Sequence, residues 1–133
     1  MQQHNFRAQY IYAELETVKN SNTYSDSDKE EILSVLKKLP MYVLTNGLAQ
    51  TLSFLLSKKN SDKTATKISM SFVVDTLRGG FKLAGFGDYK NNEQFLNEVF
   101  KLDSANYMLW TDEALILANW LKTIAVILLE KKG

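Results

Sequence analysis

The sequence predicts an all-α protein, a single-domain, compact helical bundle of about five to six helices with a buried C-terminal helix. Three observations support this prediction. The 133-residue chain contains one proline and six glycines, so it has few obligatory breaks. No segment of four to eight residues alternates between apolar and polar residues as a half-buried strand does. Helix-capping residues recur along the chain, and apolar residues follow them at steps of three and four.

The first half of the chain is predicted to contain three helices. The first runs from about Asn5 to Asn20. After a polar loop, Ser27 and Glu30 have the spacing of a capping box, and the helix they begin is expected to end before Pro40. A third helix is expected to begin at Pro40 and run to about residue 58, because proline is well placed in the first helical turn.

Gly47 lies at the centre of this third helix. In a helix interior glycine costs about 1 kcal/mol relative to alanine, so the position must have a compensating benefit. Asn46, Gln50 and Ser53 form a narrow uncharged stripe beside it. The glycine either permits close packing of another helix of the same chain or belongs to a flat surface for another subunit or a nucleic-acid backbone. Our specific prediction is a subunit interface at Asn46, Gly47, Gln50 and Ser53.

The fourth helix is predicted to begin at Thr64 or Thr66 and to end or kink at Gly79 and Gly80. Residues 81–92 form the least regular stretch of the sequence. A short helix is then expected over about residues 92–100.

The last helix is the most apolar one. Asp103 is a predicted cap for a turn that contains Tyr107 and Trp110, and Thr111 is the predicted N-cap of the final helix, which runs to about residue 131. Apolar residues cover so much of this helix that we expect burial on several sides, with part of the surface left for a partner subunit. Lys122 divides the apolar surface into runs too short to span a membrane.

The residue inventory argues against an enzyme. The chain has no cysteine, and His4 is its only histidine, so thiol nucleophiles, disulfides, histidine-based metal sites and catalytic triads are excluded. The acidic residues Asp26, Asp28, Glu30 and Glu31 are the one group considered for binding a hard cation, but helix capping explains them better. The glycines lack the spacing of a phosphate-binding loop. We predict no catalytic residue, no metal and no cofactor. The absence of cysteine and of a signal-peptide pattern favours a cytoplasmic protein.

Basic residues are concentrated in the middle third of the chain. The formal net charge is only +1, but residues 37–82 carry eight basic and two acidic groups, which is a local charge of +6. A local basic field is what phosphate binding requires, although solvated helix ends would produce the same pattern. Tyr42, close to Lys37 and Lys38, either stacks on a base or lies half-buried at the rim of the core.

Two separated blocks of the sequence resemble the small helical subunit of the Cmr complex, the type III-B CRISPR effector. The first block comprises residues 39–40 and 46–58. The second comprises Tyr107, Thr111, Glu113, Ala114, Leu115, Asn119, Trp120, Leu121 and Lys122, and a shorter match lies at Arg7, Gln9 and Ala13. The blocks occur in the order of the family and leave residues from about 60 to 101 unmatched.

The resemblance implies a non-catalytic subunit of an antiviral, RNA-guided complex. Such subunits stack with copies of themselves as a minor filament, beside backbone subunits that hold the guide RNA and with the large subunit at one end. Target RNA passes between the filaments, and the small subunit contributes positive surface along its path.

This chain departs from the family in its last helix. Where family members often have arginines, it has Met108–Leu109 and Thr123–Ile124. The middle block is therefore the better candidate for RNA binding. The predicted RNA-binding residues are Lys37, Lys38, Lys58, Lys59, Lys63, Lys67, Arg78 and Lys82.

Two other functions remain open from the sequence. One is a purely structural subunit that binds other proteins without touching RNA. The other is a free-standing helical regulator of duplex DNA, in which the Pro40 helix reads the bases. The DNA-binding alternative is disfavoured because Arg7 and Arg78 are the only arginines, whereas arginine dominates guanine readout.

Overall fold

Five α-helices make up most of the part of the chain that the computed structural model describes, which is residues 5–131 without the side chain of residue 59. They are α1 (Phe6–Asn20), α2 (Asp26–Ser57), α3 (Thr64–Leu83), α4 (Asn92–Phe100) and α5 (Ser104–Leu129), with a 3-10 turn at Lys58–Asn60. These residues contain no strand, which confirms the predicted all-α class. His4 lies outside the described residues.

The start of α2 differs from the prediction by two residues. Ser25 is the N-cap, and its hydroxyl accepts a hydrogen bond of 3.1 Å from the Asp28 backbone N–H. The Asp28 carboxylate in turn accepts one of 3.0 Å from the Ser25 backbone N–H. The predicted capping box at Ser27 and Glu30 is therefore wrong, because the sequence contains two overlapping pairs with the same spacing and aspartate takes the part of the usual glutamate.

Pro40 does not end a helix, contrary to the prediction. α2 passes through it, although an interior proline removes one backbone hydrogen bond and costs about 3 kcal/mol. Leu39 and Val43, on either side of the proline, are buried in the core, and their burial offsets this cost. The helix breaks instead at Gly47, whose backbone is not helical, with φ of 81° and ψ of 169°.

The break divides α2 into a first arm (residues 26–46) and a second arm (residues 48–57). Tyr42 and Phe54 are 12 residues apart, which would separate their Cα atoms by about 18 Å in a straight helix. Their ring centroids nevertheless lie 5.1 Å apart in a stacked arrangement. The two arms therefore meet at a sharp bend, with the two rings in contact across it.

Gly79 and Gly80 lie inside α3, so the predicted end or kink at these residues is wrong. Both glycines allow close contact with other helices. A Cβ on Gly80 would lie 2.8 Å from a methyl carbon of Leu117 in α5, and a Cβ on Gly79 would overlap the hydroxyl of Tyr10 in α1. Packing thus selects small residues here, and the helix tolerates them because one of its faces, with Val73, Leu77 and Phe81, is buried in the core.

The loop between α3 and α4 was the least predictable segment, and aromatic packing holds it in place. Phe86 from this loop lies 5.2 Å from the Phe81 ring and 5.6 Å from the Trp110 ring, measured between centroids. Tyr89 contacts the Phe95 ring at 5.8 Å. The predicted short helix after the loop is confirmed as α4.

α5 is a single helix from Ser104, and Asp103 is its N-cap as predicted, accepting a hydrogen bond of 2.8 Å from the Asn106 N–H. Thr111 lies inside the helix, so its prediction as an N-cap is wrong. The reason is that the turn expected before Thr111 is already helical, which leaves Trp110 free to pack in the core.

The central position of α5 agrees with its apolar sequence. It packs against α1, α2 and α3, and residues such as Leu117, Leu121 and Ala125 are almost fully buried. One face remains exposed, however, and carries Ile116 and Ile127. Neither α5 nor any other helix among the described residues is both long and apolar enough to cross a bilayer.

Candidate nucleic-acid interface

Tyr107 of α5 contacts the bend in α2. Its hydroxyl accepts a hydrogen bond of 3.0 Å from the Ala49 backbone N–H, which the break in the helix leaves without its usual partner. A Cβ on Gly47 would lie 2.9 Å from the same hydroxyl oxygen. Gly47 and Tyr107 belong to the two separate blocks of sequence that suggested a family, and the structure brings these blocks into contact.

The predicted interface residues lie at this bend and in the first turns of the second arm. Asn46 and Gln50 are exposed, and Gly47 and Ser53 are half-buried. Gly47, predicted to lie in a helix interior, instead breaks the helix, because its φ of 81° with an extended ψ is a non-helical conformation that essentially only glycine adopts.

Two apolar side chains extend the exposed surface next to the bend. Met41 is 65% exposed and Leu44 is 66% exposed, both on the first arm of α2. Exposed large aliphatic side chains grouped close together are a feature of protein interfaces. This surface therefore combines small polar residues with apolar ones.

An ion pair that sequence reasoning did not identify joins α1 to α5. Arg7 donates two hydrogen bonds to the Glu113 carboxylate, from Nε at 2.6 Å and from Nη2 at 2.7 Å. The Glu113 side chain is only 4% exposed and that of Arg7 is 26% exposed. The hydrogen bond to Glu113 raises the pKa of Arg7 above its usual value. Both residues were noted in the sequence, but their separation of 106 positions leaves no local signal of the pairing.

The connection between α2 and α3, together with the first turn of α3, carries the first group of predicted RNA-binding residues. Lys63 and Lys67 are exposed and form no ion pair within residues 5–131. The Lys58 ammonium lies 5.0 Å from the centroid of the Phe54 ring, in a cation–π contact. The backbone of Lys59 is part of the 3-10 turn, and its side chain lies outside the described part. We call these four residues the connection lysines.

Lys37 and Lys38 lie on the first arm of α2. The Lys37 ammonium donates to the Glu130 carboxylate at 2.8 Å, and both side chains are exposed. Lys38 is exposed, forms no ion pair with a described residue, and lines the groove between the two arms.

Arg78 and Lys82 lie farther along α3, about 16 and 22 Å from Lys67 by helical rise. The Arg78 guanidinium donates to the Asn92 side-chain oxygen at 2.9 Å and to the Tyr89 carbonyl at 2.7 Å. The Lys82 ammonium lies 3.4 Å from the Asp88 carboxylate. Arg78 therefore holds the loop before α4 in place. The structure separates the basic residues into three groups, which are the connection lysines, the pair Lys37 and Lys38, and the pair Arg78 and Lys82.

A larger groove of about 530 Å³ lies between α1 and α3. Tyr10, Tyr24 and Phe72 contribute rings to it, and Glu14 and Asp75 contribute carboxylates. Burial, with a smaller effect of Glu14 and Asp75, raises the pKa of Tyr10 far above its usual value, so its hydroxyl stays protonated. It donates to the Thr76 carbonyl at 2.9 Å, which is a structural arrangement rather than a reactive one.

No group of three or more metal-ligating side chains converges anywhere within residues 5–131. Asp28, one of the acidic residues considered for cation binding, is buried in the capping box.

Two comparisons relate the chain to known proteins. The family model for "CRISPR-associated protein (Cas_Cmr5)" matches residues 3–128, which is nearly the whole sequence. A crystal structure of a CRISPR-associated Cmr5 family protein from Thermus thermophilus superposes with a TM-score of 0.70 at 23% sequence identity. The match covers 98% of this chain and 100% of that one, so the two proteins share the same fold from end to end.

Proposed function

The chain belongs to the Cmr5 family of CRISPR-associated proteins, whose members are Cmr complex subunits, and we propose that it serves as the non-catalytic small subunit of the type III-B effector. In this proposal, copies of the chain stack as a minor filament beside the backbone subunits that hold the guide RNA, with the large subunit at one end. Target RNA runs along the filament, and the small subunit supplies positive charge in antiviral defence.

The observation that carries the RNA-binding part of this proposal is the group of connection lysines. Lys63 and Lys67 are exposed, and neither forms an ion pair with a carboxylate among the described residues. Because ammonium groups contact phosphates without reading bases, these residues suit a strand whose sequence varies with every guide. Lys37, Lys38, Arg78 and Lys82 remain predicted RNA contacts, and the pairing of Arg78 and Lys82 with their neighbours favours a smaller contribution from them.

The bend in α2 supports the assembly part of the proposal. Asn46, Gly47, Gln50 and Ser53 would contact a neighbouring copy, and the exposed Met41 and Leu44 side chains extend the surface beside them. The alternative of a purely structural subunit predicts the same contact between copies at this surface. The two differ only in whether the lysines touch RNA.

The experiment tests the lysines in the reconstituted complex. Lys58, Lys59, Lys63 and Lys67 are changed together to serine, and binding of two unrelated target RNAs, each with its matching guide, is measured over a range of salt concentrations. We expect weaker binding of both targets. The slope of log K against log salt should fall by about 0.7 for each phosphate contact that is lost. Assembly and guide loading should be unchanged.

The matched control changes four lysines elsewhere, Lys90, Lys101, Lys131 and Lys132, to serine. This variant has the same net charge as the first, so it separates a local contact from a general loss of positive charge. We expect nearly wild-type binding. If the first variant binds both targets at wild-type strength at every salt concentration, the structural alternative replaces the RNA-binding proposal. Neighbouring genes for other Cmr subunits would exclude the free-standing DNA regulator.

A further inference from the structure

An apolar stripe runs along the solvent side of α5. It consists of the exposed side chains of Leu109, Ile116, Trp120 and Ile127. Successive residues of an α-helix are rotated by about 100°, so these four side chains lie within about 20° of one line along the helix. Leu109 and Ile127 end the stripe and are about 27 Å apart by helical rise. A continuous row of exposed apolar side chains indicates an interaction surface.

The stripe itself carries no charge. Among the exposed residues between positions 108 and 127, Asp112 and Lys122 are the only charged ones. Asp112 lies about 60° to one side of the stripe, and Lys122 lies about 140° around the helix from it. A nucleic-acid backbone would meet apolar side chains and a carboxylate on this face, whereas it binds to basic groups. The stripe therefore suits a protein surface.

The stripe has the same pattern when it is followed from either end. Leu109 and Ile127 lie nine residues on either side of Ala118, and Ile116 and Trp120 lie two residues on either side of it. Two copies that pack antiparallel about a two-fold axis at the level of Ala118 place Leu109 of each against Ile127 of the other. The same operation places Ile116 against Trp120. A two-fold contact requires such self-complementarity, because the same patch serves both copies.

The polar residues beside the stripe follow the same symmetry. Asp112, Asn119 and Thr123 are exposed and lie about 40–80° to one side of it. Their side chains form no hydrogen bond or ion pair within residues 5–131. In the antiparallel pair, the levels of Asp112 in one copy and Thr123 in the other differ by about 1.5 Å, and those of the two Asn119 residues by about 3 Å. A carboxylate accepts from a hydroxyl, and amides pair with each other, so a second copy supplies partners of matching chemistry.

We propose that two copies of the free chain associate through α5, antiparallel about a two-fold axis near Ala118. This contact goes beyond the proposed function, in which copies stack through the bend in α2. A stacked contact joins different surfaces and propagates into a filament, whereas a two-fold contact closes after two copies. The second copy removes the apolar stripe from water, which provides the driving force.

The size of the stripe indicates a weak dimer. A helix face about 27 Å long and about 10 Å wide buries less than the roughly 800 Å² per partner of a standard interface. We therefore expect a dissociation constant in the micromolar range or above. Sedimentation of the isolated chain over about 1–500 µM covers this range.

Disulfide trapping tests the register, because the chain contains no cysteine. Leu109→Cys and Ile127→Cys are prepared separately, and each is oxidised alone and in an equimolar mixture. Non-reducing gel electrophoresis should show a cross-linked dimer in the mixture, where the two substituted positions face each other. Neither variant should cross-link alone, because its two substituted positions lie about 27 Å apart and a disulfide requires Cα atoms within about 7 Å. Leu83→Cys mixed with Ile127→Cys is the control for random collision, since Leu83 is exposed on α3, and should give far less product.

Ile116→Glu tests the contribution of the stripe to the contact. It places a carboxylate against apolar side chains of the other copy, so the dissociation constant should rise at least about tenfold. The midpoint of thermal unfolding at low concentration should stay unchanged, because Ile116 is exposed in the single chain. Leu83→Glu is the matched control and should dimerise like wild type.

A wild-type chain that stays monomeric up to about 500 µM would overturn the proposal. Cross-linking of either cysteine variant with itself would overturn it as well, and so would wild-type dimerisation of a folded Ile116→Glu variant. If the free chain is monomeric and Ile116→Glu is instead lost from the reconstituted complex, another subunit covers the stripe and the second copy is excluded. None of these results changes the lysine experiment, which decides the proposed function separately.

Discussion

Gly47 acts through its backbone conformation rather than through the space that a missing side chain leaves on a helix. Its φ of 81° and ψ of 169° end the first arm of α2 and start the second. The Thr51 hydroxyl donates a hydrogen bond of 2.7 Å to the Gly47 carbonyl, and Tyr107 accepts from the Ala49 N–H. These two contacts fix the start of the second arm.

Gly47→Ala should destabilise the protein by about 1–3 kcal/mol, because alanine is strained in this backbone conformation. Contact between the new Cβ and the Tyr107 hydroxyl adds to the strain. Gly85→Ala is the control: Gly85 has φ of 90° but nothing within 4 Å of a Cβ, so it shows the effect of backbone strain alone. Urea denaturation measures the free energy of unfolding of both variants. Equal destabilisation by the two variants would contradict a role for Tyr107 in excluding larger residues from the bend.

Among the helices, α1 is held on α5 by a buried charge pair as well as by apolar contacts. Ile11 and Leu15 of α1 are fully buried in the core, whereas the Arg7–Glu113 pair lies near the start of α1. The geometry is bidentate, which gives the pair directional specificity. It therefore defines how the first turn of α1 lies on α5.

Arg7→Met should lower the free energy of unfolding by about 3 kcal/mol, since it leaves the buried Glu113 carboxylate without its partner. The double variant Arg7→Met, Glu113→Met should recover most of this loss, because apolar residues of similar volume can replace a buried ion pair. Urea denaturation gives the free energy of unfolding of the wild type, both single variants and the double variant, and the four values form a double-mutant cycle. Additive effects of the two substitutions would show that the pair contributes no coupling.

At the scale of the whole molecule, the basic middle of the sequence does not form one continuous patch. The connection lysines lie at one end of α3, Arg78 and Lys82 lie toward the other, and Lys37 and Lys38 lie on the first arm of α2. The exposed apolar residues Met41 and Leu44 share that first arm with Lys37 and Lys38. The surface proposed for contact between copies therefore adjoins part of the surface proposed for RNA.

Leu44→Gln should leave the stability of the isolated chain within about 0.5 kcal/mol of wild type, because the side chain is 66% exposed. If copies of the chain stack through the bend, the same change should weaken that contact by about fivefold or more, as expected for an interface side chain that contributes over 1 kcal/mol. Native mass spectrometry of the reconstituted complex would count the copies retained. Leu83→Gln, at a leucine 56% exposed on α3, is the control and should leave the count unchanged. Equal copy numbers in the two variants would place the contact elsewhere.

The sequence by itself determined the helical class, the Asp103 cap and the resemblance to the family that the comparisons then established. Helix periodicity and caps depend on residues three or four positions apart, so a linear reading detects them. Where two local signals were equivalent, as at Ser25 and Ser27, or where packing overrode one, as at Pro40 and in the Gly79–Gly80 pair, the prediction was wrong. Only the tertiary structure decided that α2 bends at Gly47 and that Arg7 pairs with Glu113. The physical reason is that these contacts join residues distant in the chain, and their free energy depends on how the helices pack.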